Sequence, residues 1–199
     1  MVTVRLYVEG APQKNDLKRE RCREAFSTFF EAAGIARRPR TVPCGGRQEA
    51  YDAFTTAIKT AKPGELALLL VDAEDFIAAE HTKWQHLKAR DNWDRPEGAE
   101  NDQVFLMVQV METWFLADLP ALRRCFGAHF SAAPFRAWPA LEAVPKQTVY
   151  EVLQKATAGC KQTYVKGDVS FDVLATLDPA RVEATCPHAG ELLQRLRSL

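Results

Sequence analysis

The chain has 199 residues, 47% of them apolar, and its 26 basic and 26 acidic residues cancel to a formal charge of zero. Such a chain is long enough and apolar enough to fold by itself as one domain, with or without an appended helical lobe. Its charge balance excludes a global field for steering nucleic acid, although not a local basic face, and no stretch approaches the roughly 20 apolar residues that span a bilayer.

The amino terminus leads straight into a strand-like alternation with no basic segment, long apolar segment or cleavage site, so the expectation is a soluble, cytoplasmic protein without a membrane partner. Cys22, Cys44, Cys125, Cys160 and Cys186 are odd in number and scattered. Without a C-x-x-C pair they argue against a disulfide framework or a structural zinc, and are read as reduced thiols that chiefly pack.

Val2, Val4, Leu6 and Val8 alternate with Thr3, Arg5 and Tyr7, which predicts a strand with one face more buried than the other. It ends at Glu9-Gly10. Leu17, Cys22, Ala25, Phe26, Phe29, Phe30 and Ala33 recur at near-helical spacing, with Gly34 as the stop, and predict a helix over 16–33 packed on a sheet. Arg40-Thr41-Val42-Pro43 reads as a short strand. Cys44-Gly45-Gly46-Arg47 then turns into a helix carrying Ala50, Tyr51, Phe54 and Ile58 on one face. After Pro63-Gly64, the unbroken apolar run Leu66 to Val71 is that of a central strand covered on both faces.

Residues 76–102 turn polar and aromatic. A structureless connection of that length is unusual in a compact domain, so a short helix near 82–90 followed by a functional loop is expected. Trp84, Trp93, Arg90 and Arg95 make the aromatic and basic mix used for single-stranded nucleic acid or for a protein interface. Phe105 to Met111 resumes the sheet. Phe115, Leu119, Leu122 and Phe126 then mark helix, with a kink or a break at Pro120. Beyond Gly127 come a helix over 145–158, a short strand at Thr163-Tyr164-Val165, and helices over 170–177 and 179–199, the last broken by Pro187. The fold class is therefore α/β: a mostly parallel sheet with helices on both faces. Residues 1–126 form its core, and residues 127–199 a helical carboxyl-terminal extension packed on it as one unit.

Three of the apolar runs end on acids: the first at Glu9, the second at Asp72-Ala73-Glu74-Asp75, the third at Glu112. If the runs are neighbouring parallel strands, these acids share the sheet edge where open α/β folds place their ligands. Gathered carboxylates point to Mg²⁺ or Mn²⁺, because hard cations take oxygen ligands and like charges need a cation between them. An acid at one strand end and an acid pair at another is also the set that two-metal phosphoryl chemistry requires. Glu74 and Asp75 both remain open as the second ligand of the pair. Arg47, after Gly45-Gly46, is placed to hold phosphate with the amides of a helix start. Lys166, before Gly167, is a cation for a phosphoryl transition state, and His86 an acid, a base or a substrate contact. The competing reading makes the acids helix caps, the glycines a tight turn, His86 a packed structural residue and Lys166 a solvated one.

Val8-Glu9-Gly10 and Val71-Asp72-Ala73-Glu74 resemble the Toprim pattern, with Glu where the second acid is usually Asp. Met111-Glu112-Thr113-Trp114-Phe115-Leu116-Ala117-Asp118 resembles the Glu-x-Trp element of RloB-like and related Toprim-like proteins encoded beside ABC-type ATPases in bacterial defence loci. Together with Cys44-Gly45-Gly46-Arg47, Trp84-Gln85-His86-Leu87-Lys88, Leu106-Met107-Val108-Gln109 and Lys166-Gly167, they are similar, over nearly the whole chain, to a bacterial family known as a domain of unknown function. The resemblance implies a Toprim-like (Rossmann-like) fold and a Mg²⁺- or Mn²⁺-dependent nuclease or related phosphoryl-transfer effector. It further implies nucleic acid as substrate and an ABC/AAA-type ATPase subunit as partner in anti-phage defence. In that scheme Glu9 is general base or ligand, Asp72, Glu74 and Glu112 hold the metals, and Lys166 or Arg47 offsets the charge of the scissile phosphate. Two other readings share the acidic edge: a non-catalytic partner or sensor subunit of an ATPase complex, and a small-molecule phosphotransferase or phosphatase.

Overall fold

In the computed structural model, which describes residues 2–11, 14–167 and 169–199, the period-two alternation of the strands sorts the core into two layers. Val4, Leu6 and Val8 of β1 (Thr3–Val8), Leu68 and Leu70 of β3 (Glu65–Asp72), and Phe105 and Met107 of β4 (Val104–Met107) face one apolar cluster. Their neighbours Tyr7, Ala67, Leu69, Val71, Val104 and Leu106 face the other. With β2 (Arg40–Pro43) the strands form one sheet of order β2-β1-β3-β4, parallel throughout.

Helices cover both faces, as the buried strands require. On the smaller layer lie α2 (Arg47–Thr60), through Ala50 and Phe54, and α3 (Lys83–Asp91), through Trp84 and Leu87. On the larger layer α1 (Asp16–Ala32) buries Cys22, Ala25, Phe26, Phe29 and Phe30. There it shares a continuous core with α4 (Glu112–Phe115), α5 (Leu119–Phe126), α6 (Lys146–Thr157), α7 (Ser170–Leu174), α8 (Pro179–Thr185) and α9 (Pro187–Arg197). Trp114 of α4 stacks on Phe29 of α1, ring centroids 5.6 Å apart, and α9 packs along β4. Among the described residues, no helix is long and apolar enough to cross a membrane.

The structure departs from the sequence expectations in three places and decides between alternatives in one. β4 stops at Met107 instead of running to Met111, because the Asp72 carboxylate accepts the Met111 N–H at 2.7 Å and turns the chain out of the sheet. Val108 and Val110 are apolar because they are buried in the turn, not because they belong to a strand. Of the kink and the break open at Pro120, the structure has the break: α4 ends at Phe115, and Asp118 caps a new helix with Pro120 in its first turn, where a missing N–H costs nothing. Thr163-Tyr164-Val165 is not a strand. Lastly, the segment after β3 is no aromatic platform, since Trp84 and Trp93 are buried, Trp93 stacking on Tyr51 at 4.6 Å and donating its indole N–H to Gln48.

Candidate functional site

The strand order fixes where the chain leaves room. From β1 the chain passes through α1 to β2 on one side, and from β3 through α3 to β4 on the other. Adjacent strands β1 and β3 thus send their loops in opposite directions, and a crevice opens between them at the carboxyl end of the sheet. Glu9 follows β1 and Asp72 closes β3. A cleft of about 190 Å³ sits there, lined by Glu9, Asp72, Glu74, Glu112 and Lys166, with Met107, Met111 and Phe171 as its apolar wall.

Each acid reaches the cleft by a different route. The Glu9 side chain lies across the switch point, its Oε1 accepting the Asp72 N–H at 2.6 Å. Asp72 is 5% exposed, and with Oδ1 occupied by the Met111 N–H its Oδ2 lies 3.4 Å from Lys166 Nζ. Glu112, at the first turn of α4 and only 1% exposed, accepts hydroxyl protons from Tyr164 at 2.6 Å and Ser170 at 3.1 Å, both on Oε1. Glu74 adopts a left-handed backbone, φ 65°, and its N–H donates to the Gln109 carbonyl at 2.6 Å. Its Oε2 accepts from Lys146 Nζ at 2.6 Å.

The first three acids share one asymmetry. Each anchors one oxygen in a hydrogen bond, while the other has Arg47 at 3.9 Å (Glu9), Lys166 at 3.4 Å (Asp72), or no partner at all (Glu112 Oε2, buried). Burial and the charges of Glu9 and Glu112 hold the Asp72 carboxyl well above the usual carboxylate range, against the pull of Lys166 and the Met111 N–H. Burial also raises Glu9, opposed by Arg47 and the Asp72 N–H. Glu74 goes the other way: burial favours its protonated form, but the Lys146 hydrogen bond and the Lys166 charge outweigh it. Lys166 is raised, because the negative charge of Asp72 and the Tyr150 hydroxyl at 2.8 Å override the cost of its burial.

Several expected residues stand elsewhere. Asp75 does not line the cleft and takes the Phe76 N–H on its own Oδ1 at 2.8 Å, which leaves Glu74 as the acid of the pair that lines it. Buried His86 does not line the cleft; it donates from Nε2 to the Ala73 carbonyl at 2.9 Å and so braces the loop after β3. Arg47 does not line the cleft. Its guanidinium holds the Asp72 carbonyl through Nη1 and the Asp91 carboxylate through Nη2 and stacks 5.1 Å over Trp93, so both Nη atoms bond the scaffold. Gly45 lines the cleft, whereas Gly46 caps α2 beneath Glu49, whose Oε2 would lie 2.7 Å from a Cβ added there. Tyr164, Ser170, Tyr150 and Lys146 escaped the sequence reading, because nothing in their local pattern says that they reach acids so far away in the chain.

Residues 8–197 match the family described as "Domain of unknown function (DUF4276)". The chain belongs to the DUF4276 family. No curated protein and no solved structure matches it. The DUF4276 match runs from the last residue of β1 to the end of α9, so both sides of the cleft lie within the family's domain.

The chemistry of the DUF4276 cleft suits a hard cation in donor type, being all carboxylate oxygen, and the unpartnered Glu112 Oε2 is a buried acceptor of the kind an ion satisfies. Among the described residues, however, no three His, Cys, Asp or Glu side chains form a ready ligand group. Lys166 and Lys146 stand at Asp72 and Glu74 instead.

Proposed function

We propose that this cleft binds Mg²⁺ or Mn²⁺ and acts on phosphodiesters as a Toprim-type nuclease or related phosphoryl-transfer effector. The observation that carries the reading is the set of second carboxylate oxygens on Glu9, Asp72 and Glu112, left over by the bonds that anchor the first and facing Arg47, Lys166 or no partner, at the switch point of a parallel sheet. Asp72 and Glu112 would hold the ion, with Glu9 as a further ligand or as the base for an attacking water. A divalent ion there polarises a phosphoryl oxygen and activates water. Lys166, its ammonium beside Asp72 and half exposed, is placed to turn from the carboxylate to a phosphate oxygen. The volume of about 190 Å³ lies below the roughly 300–1,000 Å³ of pockets that enclose a whole small ligand. That favours a substrate whose phosphate enters while its body stays outside, as a polynucleotide does, over a small-molecule phosphatase.

Nucleic acid as substrate, an ABC/AAA-type ATPase as partner and a place in anti-phage defence belong to the same proposal, through the resemblance to Toprim-like and RloB-like proteins. The second reading, a non-catalytic subunit of an ATPase complex, draws support from the lysines that already neutralise Asp72 and Glu74.

The decisive test begins with Mn²⁺ alone. A ligand that binds only the folded state raises its melting temperature, so wild type should melt higher with Mn²⁺ and nick supercoiled plasmid. Glu9→Gln keeps the acceptor for the Asp72 N–H and removes the charge, and should lose the nicking. A wild type whose melting is indifferent to Mn²⁺ and Mg²⁺ would sink the metal reading without reference to any partner.

A further inference from the structure

Two hydroxyls converge on one oxygen of a buried carboxylate and leave the other oxygen bare. Tyr164 and Ser170 both donate to Glu112 Oε1, while Oε2 is buried with no hydrogen-bond partner. Satisfying a carboxylate for stability alone would spread two donors over its two oxygens, because buried polar atoms are almost always paired.

The donors are themselves held in place. Ser170 Oγ accepts the Gly167 N–H at 3.1 Å, so its proton is directed to Glu112. Tyr164 lies 2.6 Å from Glu112 and 3.0 Å from Ser170, and the shorter contact takes its single proton. The Tyr164 ring is 1% exposed and edge-on to Phe115, and its N–H donates at 2.8 Å to Thr157 Oγ1, which donates in turn to the Leu153 carbonyl of α6. The hydroxyl cannot swing without moving the loop between α6 and α7.

We propose that Tyr164 and Ser170 are positioning residues: by clamping Oε1 of Glu112 they hold Oε2 free for a divalent cation in the cleft. This rests on the metal reading above and adds to it that the carboxyl-terminal extension orients one of the ligands. Outer hydroxyls and amides of this kind fix the orientation of metal ligands, and losing one typically weakens metal binding about 10- to 100-fold.

The test is Mn²⁺ affinity, read by the electron paramagnetic resonance of free Mn²⁺, for the full chain as wild type, Tyr164→Phe, Ser170→Ala and Ser170→Thr. Tyr164→Phe and Ser170→Ala should each weaken Mn²⁺ binding about tenfold while keeping the metal-free circular dichroism, and Ser170→Thr should restore it. If Tyr164→Phe does not fold, the Ser170 pair carries the comparison. Wild-type affinity in both Tyr164→Phe and Ser170→Ala would overturn the clamp and leave the metal reading standing. A wild type that binds no Mn²⁺ would overturn both.

Discussion

Asp72 shows how one side chain serves the scaffold and the cleft at once. Its Oδ1 turns the chain after β4, and its Oδ2 faces Lys166. Because burial and neighbouring acids raise its carboxyl, the folded state binds a proton more tightly there than the unfolded chain does. The fold therefore loses stability as pH climbs from the ordinary carboxylate range through the raised value. Asp72→Asn keeps the acceptor for Met111 and removes the charge. Metal-free Asp72→Asn should melt at or above wild type at neutral pH, by up to about 2 kcal/mol, and the gap should close on acidification, while the Mn²⁺-dependent rise in melting temperature disappears. A variant that instead melts well below wild type at every pH would mark Asp72 as a structural cap. Arg47 makes the opposite case. Its donors brace Asp72 and Asp91, so Arg47→Ala should lower stability in denaturant titrations, and Arg47→Lys should not rescue it, because an ammonium cannot span both acceptors with a planar fork.

At the scale of elements, α9 is fastened to the 3₁₀ turn Leu141–Ala143 by His188, whose backbone N–H and ring Nδ1 both meet the Glu142 carboxylate, at 3.0 and 2.6 Å. The hydrogen bond to Glu142 raises the His188 pKa above its ordinary 6.5, against the effect of burial. The stability this pair gives is complete below that ordinary value and is lost as pH rises through the folded one. Thermal melts across the neutral to alkaline range should fall for wild type and stay flatter for His188→Gln; parallel curves would show that the pair contributes nothing. The contact between α1 and α4 is of the apolar kind. Trp114 is 1% exposed and stacked on Phe29, so Trp114→Ala should cost about 3–5 kcal/mol in urea unfolding.

For the molecule as a whole, residues 127–199 are part of the core. Leu153, Tyr164, Phe171, Leu192 and Leu193 share one buried cluster with Val4, Leu6 and Val8 of β1. A chain cut after Phe126 would strip α6 to α9 from that layer and leave only α1, α4 and α5 on it, and should show no cooperative thermal transition by circular dichroism. The same segment supplies Lys146, Tyr150, Tyr164, Lys166 and Ser170 to the acidic edge, so the site and the larger core are lost together.

Much of this was legible in the sequence, for a physical reason: alternation and apolar runs are local, and a strand that must bury both faces has little choice of residue. Four strands, the helices between them and the carboxyl-terminal position of Glu9 and Asp72 follow from such patterns. What local pattern does not carry is direction. Asp75 and Glu74 are adjacent and chemically alike, yet a left-handed turn sends one to the cleft and leaves the other outside. Arg47 and His86 read as ligands for a substrate because their charge and ring chemistry allow it, and only the packing of α2 and α3 against the sheet commits them to the Asp72 and Ala73 carbonyls. The sequence by itself determined which acids stand at strand ends; the tertiary structure decided which of their oxygens are spent on the scaffold and which are left for chemistry. Those hydrogen bonds join residues as far apart as Glu112 and Ser170, and no periodicity in a chain encodes a contact that only folding creates.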